Sequence, residues 1–150
     1  MANTYTSLSY HIVFSTKNRE PWLNDAVCER LWPYLGGIAR ENKMMVLEVG
    51  GVADHVHVLV SIPASMSVSK AVQLIKGGSS HWIKETFANM AGFAWQDGYG
   101  AFTVSESQLD TVRDYIRRQP EHHRTRTFAE EYRTFLQRHR IEFDEHYLLG

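Results

Sequence analysis

The chain has 150 residues, a net charge of −1 and a hydrophobic content of 43%, values typical of a globular protein with one core. We therefore expect a single domain over residues 1–150. The near-neutral charge argues against binding that depends on phosphate contacts alone. No stretch approaches the roughly 18 consecutive apolar residues that a membrane span requires, and no secretory signal is visible at the N-terminus. Since Cys28 is the sole cysteine and cannot form an intrachain disulfide, we expect a cytoplasmic location.

The predicted elements alternate between strands and helices. Alternating apolar residues predict strands, and apolar residues three and four apart predict helices. In chain order these are a strand over 8–14, a helix over 25–42, strands over 45–49 and 54–60, a helix from 68 to beyond 83, a short strand within 93–104, and helices over 109–119 and 128–139. This order, βαββαβ followed by two helices, predicts a ferredoxin-like α+β fold. Such a fold has a four-stranded antiparallel sheet with helices on one face, here joined by C-terminal helices.

Two local signals refine the helices. Ser67 is the predicted N-cap of the second helix, and Ser105 or Ser107 is the predicted N-cap of the third. Gly77 and Gly78 each cost about 1 kcal/mol relative to alanine inside a helix, which predicts a kink or a close approach of some other chain.

One strand carries the most informative pair of residues, His55 and His57. Side chains two residues apart on a strand point to the same side, so the two imidazoles share one face. Val56, Val58 and Val60 then share the buried face. Two adjacent imidazoles on a strand anchored in the core form half of a metal site. The alternative is a chance pair of half-exposed polar residues, and only a third ligand and a reactive group would favour the metal site.

A tyrosine near the end of the third predicted helix is the candidate reactive group. Tyr115 and Gln119 lie four residues apart before Pro120, and hence one helical turn apart. Tyr115 could simply pack against the sheet, but Gln119 at the helix end can reach outward, and neighbouring arginines would surround an anion. A phenol with a pKa of about 10 attacks phosphorus only when a divalent cation positions and polarises the phosphate. Two imidazoles and an amide oxygen form an incomplete shell for Mg²⁺ or Mn²⁺. The implied reaction is a transesterification that releases a 3′-hydroxyl and leaves a phosphotyrosine.

Four segments carry a resemblance that covers nearly the whole chain. They are residues 10–17 (YHIVFSTK), 54–60 (DHVHVLV), 69–82 and 112–119 (VRDYIRRQ). In this order they resemble the opening strand, the His-hydrophobe-His motif with its preceding aspartate, the following helix and the tyrosine helix of one family. That family is the single-tyrosine HUH transposases of bacterial insertion sequences (IS200-like), with the REP-associated tyrosine transposases as close relatives.

The resemblance implies specific roles. Tyr115 would be the nucleophile, and His55, His57 and Gln119 would bind Mg²⁺ or Mn²⁺. The substrate would be single-stranded DNA beside hairpins, cut through a 5′-phosphotyrosine intermediate. The enzyme would be a homodimer in which the tyrosine helix of one subunit can complete the metal site of the other. Asp54 is expected to orient a histidine by a hydrogen bond. DNA contacts are expected from five basic side chains, Lys76, Lys84, Arg117, Arg118 and Arg124.

Two other functions stay open at this point. One is a domesticated hairpin-binding protein of the same fold that does not cleave. The other is a phosphodiesterase that uses the two histidines as acid and base, although such histidines would more naturally come from separate strands. His11 is expected to be solvated or satisfied in the core. The transposase hypothesis requires the phenol and the imidazoles to converge, and it would fail if the rings lay in the hydrophobic interior or Tyr115 lay far from them.

Overall fold

Four strands form one antiparallel sheet in the computed structural model, which describes residues 3–149. The ends of the domain expected over 1–150 lie outside the described residues. The strands are β1 (Ser9–Ser15), β2 (Met45–Val52), β3 (His55–Ser61) and β4 (Gly100–Val104). The helices are α1 (Asp25–Glu41), α2 (Val68–Thr86), α3 (Leu109–Arg117), α4 (Gln119–His122) and α5 (Phe128–Arg138). The strand order is β2-β3-β1-β4, with every neighbouring pair antiparallel. The predicted ferredoxin-like α+β fold is therefore confirmed.

Helices α1 and α2 cover one face of the sheet and enclose the larger apolar core. Alternate residues of β1 and β3 point into this core and meet apolar residues at helical spacing. They include Ile12, Phe14, Val56, Val58, Leu31, Leu35, Val72 and Ile75, all buried. The Asn24 side chain accepts a hydrogen bond from the N–H of Val27 (3.0 Å), and Ser67 accepts one from Lys70 (3.1 Å). These bonds satisfy N–H groups that have no partner within the helix, so Ser67 is the N-cap that the sequence predicts.

Helices α3, α4 and α5 cover the opposite face. The apolar side of α5 packs against β1 and β4 in a second cluster, made of Val13, Phe102, Phe128, Tyr132, Leu136 and Leu148. His55 and His57 point to this covered face, and neither has any exposed surface. The expectation that β3 has only one buried face is therefore wrong, because the C-terminal helices bury the other. Within residues 3–149, no helix has both the length and the apolar character needed to cross a membrane.

The glycine pair does not kink α2. That helix runs unbroken over Val68–Thr86. A Cβ added at Gly78 would lie 3.0 Å from Cδ1 of Ile38 in α1, whereas a Cβ at Gly77 would meet nothing within 4 Å. Gly78 therefore allows α1 and α2 to pack closely, and the approaching segment belongs to the same chain.

The serine cap predicted for the third helix is also wrong. A single 3-10 turn, Glu106–Gln108, follows Ser105 and has no capping bond from a side chain. Helix α3 begins only after this turn, with Gln108 at its N-cap position. The oxygens of Ser105 and Ser107 instead lie 3.2 Å apart and hydrogen-bond to each other.

The helix predicted over 109–119 is in fact two helices. Pro120 has no N–H to donate to the carbonyl of Ile116, so α3 cannot continue through it, whereas proline is well tolerated in a first turn. The chain accordingly starts α4 at Gln119, with Pro120 in its first turn. Tyr115 and Gln119 thus lie on two different helices, which changes how they can converge.

Candidate active site

Strand β3 places two imidazoles side by side on the covered face of the sheet. His57 pairs in register with Val13 of β1 and with Gly50 of β2, so the strand is hydrogen-bonded on both sides. The ring centroids of His55 and His57 are 5.1 Å apart. Neighbouring strands on both sides therefore hold the backbone from which both rings project.

Helix α4 brings Gln119 to these rings. Its Oε1 lies 2.9 Å from Nε2 of His55, and the side chain is fully buried. The three metal ligands that the resemblance implies therefore lie in one cluster, although Gln119 reaches it from α4 rather than from the tyrosine helix.

Helix α5 adds a carboxylate that sequence reasoning missed. Oε1 of Glu131 lies 3.1 Å from Nε2 of His57 and 3.4 Å from Nε2 of His55. Donor atoms of His55, His57 and Glu131 all lie within 4.8 Å of one another, close enough to hold one metal ion. Imidazole nitrogens combined with carboxylate and amide oxygens suit a divalent cation of the Mg²⁺ or first-row transition series. The residues present therefore fit the cation that the resemblance implies.

The Tyr115 hydroxyl reaches the same carboxylate. It donates a hydrogen bond to Oε2 of Glu131, and Nε2 of Gln119 donates another at 2.9 Å to that oxygen. The histidine rings are fully buried and His55 stacks on Phe128, but all four ring nitrogens contact polar groups, those of Asp54, Gln119, Glu131 and His11. The phenol and the imidazoles therefore converge within one chain, so neither arrangement that would defeat the hypothesis is present.

The electrostatics of the cluster are dominated by Glu131. Burial would raise the pKa of Glu131, but hydrogen bonds with His123, His55 and His57 hold it well below its usual range. Burial raises the pKa of Tyr115 well above its ordinary value and the Glu131 charge adds to this rise, while the Arg126 charge acts in the opposite direction. The carboxylate is thus firmly ionised, and the phenol keeps its proton when only these protein groups surround it.

The pKa values of the two imidazoles are shifted in opposite directions. Burial lowers the pKa of both, and for His57 this effect dominates and brings the value to about 4. For His55, hydrogen bonds to Asp54 and Glu131 outweigh burial and raise the pKa to about 9. His57 is therefore held as the neutral imidazole, the form that can bind a metal, whereas His55 has to release a proton when it binds one.

Each imidazole has a second partner on its other ring nitrogen. Nδ1 of His55 lies 2.8 Å from Oδ1 of Asp54, and Nδ1 of His57 lies 2.8 Å from Nε2 of His11. Such bonds fix the orientation and tautomer of a ligating histidine. The Asp54 contact is the one expected from the sequence. His11 is buried and satisfied, as expected, but its partner is His57 itself.

His123 is another residue that sequence reasoning missed. Its Nε2 lies 3.0 Å from Oε1 of Gln119 and 3.1 Å from Oε1 of Glu131, and its Nδ1 lies 2.7 Å from the carbonyl oxygen of Arg126. It therefore joins the α4–α5 loop to the cluster. The sequence signal was its position four residues after Gln119, which is one turn away on a continuous helix.

The basic residues expected to contact DNA occupy different surroundings. Nζ of Lys76 donates to the carbonyls of Gln96 (2.5 Å) and Gly98 (2.9 Å), and Lys84 is exposed. Among the arginines, Arg117 pairs with Glu48, Arg118 pairs with Asp114 and Glu121, and Arg124 lines a cavity beside Asp54. These DNA contacts stay predictions.

Comparisons with known proteins agree on one class of enzyme. Residues 4–119 match the family model described as "Transposase IS200 like". The chain is 31% identical over 126 residues to the transposase for insertion sequence element IS200 of Salmonella typhimurium, a match that covers 81% of this chain and 82% of that protein. It is 28% identical over 117 residues to the ISDra2 transposase TnpA of Deinococcus radiodurans, covering 75% and 84% of the two chains.

Solved structures show the same fold. A putative transposase from Deinococcus radiodurans superposes with a TM-score of 0.65 and 26% identity, covering 79% of this chain and 96% of that one. The REP-associated tyrosine transposase bound to a REP hairpin has a TM-score of 0.60 at 16% identity, with 82% and 73% covered. Fold and sequence thus define a transposase, an enzyme class that breaks and rejoins DNA. The chain belongs to the IS200-like transposase family.

Proposed function

We propose that this transposase cuts and rejoins single-stranded DNA at hairpin-flanked element ends through a 5′-phosphotyrosine on Tyr115. The observation that carries the proposal is the convergence of Tyr115, His57 and Gln119 on the carboxylate of Glu131. A protein that only bound hairpins would have no need of a half-buried tyrosine hydroxyl beside a set of metal-ligand donors. The relative solved with a bound REP hairpin supports hairpin DNA as the substrate.

The reaction we propose is a balanced transesterification. Oη of Tyr115 forms a bond to phosphorus while the bond from phosphorus to the 3′-oxygen breaks. The phenol proton is lost, and the departing oxygen gains a proton to become a 3′-hydroxyl. The 5′-phosphate then remains on the tyrosine. Attack by another 3′-hydroxyl reverses these changes and joins strands without ATP, because the phosphodiester energy is kept in the phosphotyrosine bond.

A divalent cation, Mg²⁺ or Mn²⁺, is the proposed cofactor, held by His55, His57 and Gln119 with Glu131 as a further ligand. When bound, it would polarise the phosphate oxygens and neutralise developing charge. The hydrogen bond that Nδ1 of His55 donates to Asp54, and the one between Nδ1 of His57 and Nε2 of His11, would keep the rings aimed at it.

Glu131 has a positioning role in this scheme. It accepts the Tyr115 hydrogen bond and so holds the hydroxyl beside the metal ligands. Its pKa lies well below the usual range because of its histidine partners, so it is a weak base for the phenol proton. Attack on phosphorus uses a lone pair on Oη of Tyr115, so a scissile phosphate can approach the phenol while its proton stays bonded to Glu131.

The experiment that tests the proposal uses a labelled single strand containing the end of the protein's own element, with Mn²⁺. We expect an adduct of protein and DNA that survives denaturation, is absent in Tyr115→Phe, and is absent in His57→Ala although most DNA binding remains. Cleavage that persists in Tyr115→Phe would favour the histidine phosphodiesterase. Hairpin binding without any adduct would favour the domesticated binding protein.

We further propose that the protein acts as a homodimer. In the described chain, Tyr115 lies beside the metal-ligand set of its own subunit, but the helices of two subunits could exchange. Mixing Tyr115→Phe with His57→Ala subunits separates these arrangements. Adduct formation in the mixture would show that a tyrosine serves the partner's metal site, and an inactive mixture of exchanged dimers would show that each subunit uses its own.

A further inference from the structure

A cavity of about 680 Å³ opens beside the candidate active site. It lies between the turn that follows β1, the β2–β3 turn and the loop that joins α4 to α5. We call it the arginine cavity, because three arginines line it: Arg19, Arg124 and Arg126. Pockets of roughly 300–1,000 Å³ hold small-molecule ligands, so its volume is sufficient for a nucleotide.

The arginines of this cavity have no acidic partners. Within residues 3–149, none of the three forms an ion pair, whereas Arg117 and Arg118 on the neighbouring helical surface both do. Two carboxylates also line the cavity, those of Asp54 and Glu130. The Asp54 carboxylate is bonded to His55, and the Glu130 carboxylate accepts from the hydroxyl of Thr127 at 3.1 Å. The cavity therefore presents guanidinium groups that are available to an anion.

The backbone at Arg19 is held in an unfavourable conformation. Asn18 and Arg19 have φ values of 57° and 56°, a left-handed region that asparagine tolerates but that is unfavourable for arginine. The Thr16 hydroxyl stabilises this turn by donating to the carbonyls of Glu20 (2.7 Å) and Asp54 (3.2 Å). Strain of this kind persists where surrounding contacts enforce it, and it is concentrated at functional sites. Here it fixes an exposed arginine at the rim of the cavity.

The cavity adjoins the candidate metal ligands. His123 lines it and also contacts Gln119 and Glu131. The backbone carbonyl of Arg126 is hydrogen-bonded to the same histidine. The positive charge of the Arg126 side chain lowers the pKa of the Tyr115 hydroxyl. A group in the cavity is therefore separated from the ligand cluster by a single side chain, that of His123.

We propose that the arginine cavity binds the nucleotide adjacent to the scissile phosphate of single-stranded DNA, with Arg19 and Arg126 contacting its backbone phosphates. This inference rests on the proposed function and assigns the substrate strand a path past His123. Arg19 and Arg124 are exposed at the rim, so a continuous strand can enter and leave. Because backbone phosphates are the recognised groups, the site should bind without regard to base sequence.

The test is the salt dependence of binding to fluorescently labelled oligothymidylate, measured by anisotropy on the full chain. Each phosphate contact on a single strand contributes about −0.7 to the slope of log affinity against log salt. The double variant Arg19→Ala/Arg126→Ala should therefore flatten the slope by about 1.4 (0.7 × 2). The control Arg40→Ala/Arg138→Ala removes two exposed arginines from helices α1 and α5 and should leave the slope unchanged.

Two further measurements keep the outcomes distinct. Mn²⁺ binding, followed by electron paramagnetic resonance, should be equal in the wild type and in Arg19→Ala/Arg126→Ala, showing that the ligand cluster is intact. An unchanged salt slope in a protein that still forms the tyrosine adduct would overturn this inference alone. A flattened slope in a protein that forms no adduct would overturn the proposed function alone. If thymidine 5′-monophosphate competed as well as the oligonucleotide, the cavity would be a mononucleotide site and the proposal of a strand path would be wrong.

Discussion

Gly50 of β2 lies directly beneath α3, and an alanine there should displace Tyr115 while leaving the histidines in place. A Cβ at Gly50 would lie 2.5 Å from the carbonyl oxygen of Ile116 and 2.9 Å from its Cγ2. Ordinary van der Waals contact begins at 3.4 Å, so α3 would have to retreat by about 0.9 Å (3.4 − 2.5). Overpacking of this kind costs about 1–3 kcal/mol in the free energy of unfolding. A displacement of about 1 Å at a reacting group can cost about 100-fold in rate.

The assay for Gly50→Ala measures the rate of adduct formation, the stability to urea and the affinity for Mn²⁺. We expect a rate loss of about 100-fold and a stability loss of about 1–3 kcal/mol, with Mn²⁺ binding retained. The matched control is Gly77→Ala, the same change at a position with nothing within 4 Å. It should add about 1 kcal/mol of stability through helix propensity and leave the rate unchanged. A Gly50→Ala protein that reacted at the normal rate would refute the role of this contact in positioning Tyr115.

Three further predictions test other parts of the structure. Glu131→Gln should weaken Mn²⁺ binding at least about tenfold in calorimetry, since an amide replaces a charged donor; equal affinity would show that Glu131 is not a ligand. Burial raises the pKa of Cys28 to about 11, so its thiolate forms only as the pH approaches that value. Iodoacetamide near neutral pH should therefore modify the folded protein far more slowly than the unfolded chain. Equal rates would contradict this burial. Ser79→Ala leaves the buried Trp95 N–H without its 3.0 Å acceptor, so urea denaturation should show a loss of about 1–3 kcal/mol, and unchanged stability would mean that another acceptor replaces it.

The sheet and its two long helices could be predicted because their signals are local. Alternation in β1 and β3, the cap at Ser67 and the spacing of apolar residues in α1 and α2 each depend on a few neighbouring residues. The position of α5 could not be predicted in this way. Its amphipathic pattern shows that one side is buried, but it does not show which face of the sheet it covers. The burial of His55 and His57 follows from that placement, and so the sequence prediction missed it.

The candidate site shows the same difference between residues with a local sequence signal and residues brought in by long-range packing. The histidine pair stands in one short motif and Tyr115 and Gln119 stand in another, so local spacing indicated all four residues and the resemblance added their specific roles. Glu131 follows His57 by 74 residues, and His57 follows His11 by 46. No local pattern connects residues so far apart, and in β1 a single histidine looks like an ordinary core residue. Only the packing of α5 and the pairing of β1 with β3 reveal that these residues are partners of the candidate ligands.

The central claim is that the Tyr115 oxygen takes the 5′-phosphate of the cut strand. The most direct measurement is mass spectrometry of the adduct after digestion with trypsin and nuclease. Trypsin cuts after arginine, so the account predicts that the nucleotide is attached to the peptide of residues 114–117, through its 5′-phosphate. Attachment at any other residue, or complete cleavage of the DNA with no attached nucleotide, would contradict it.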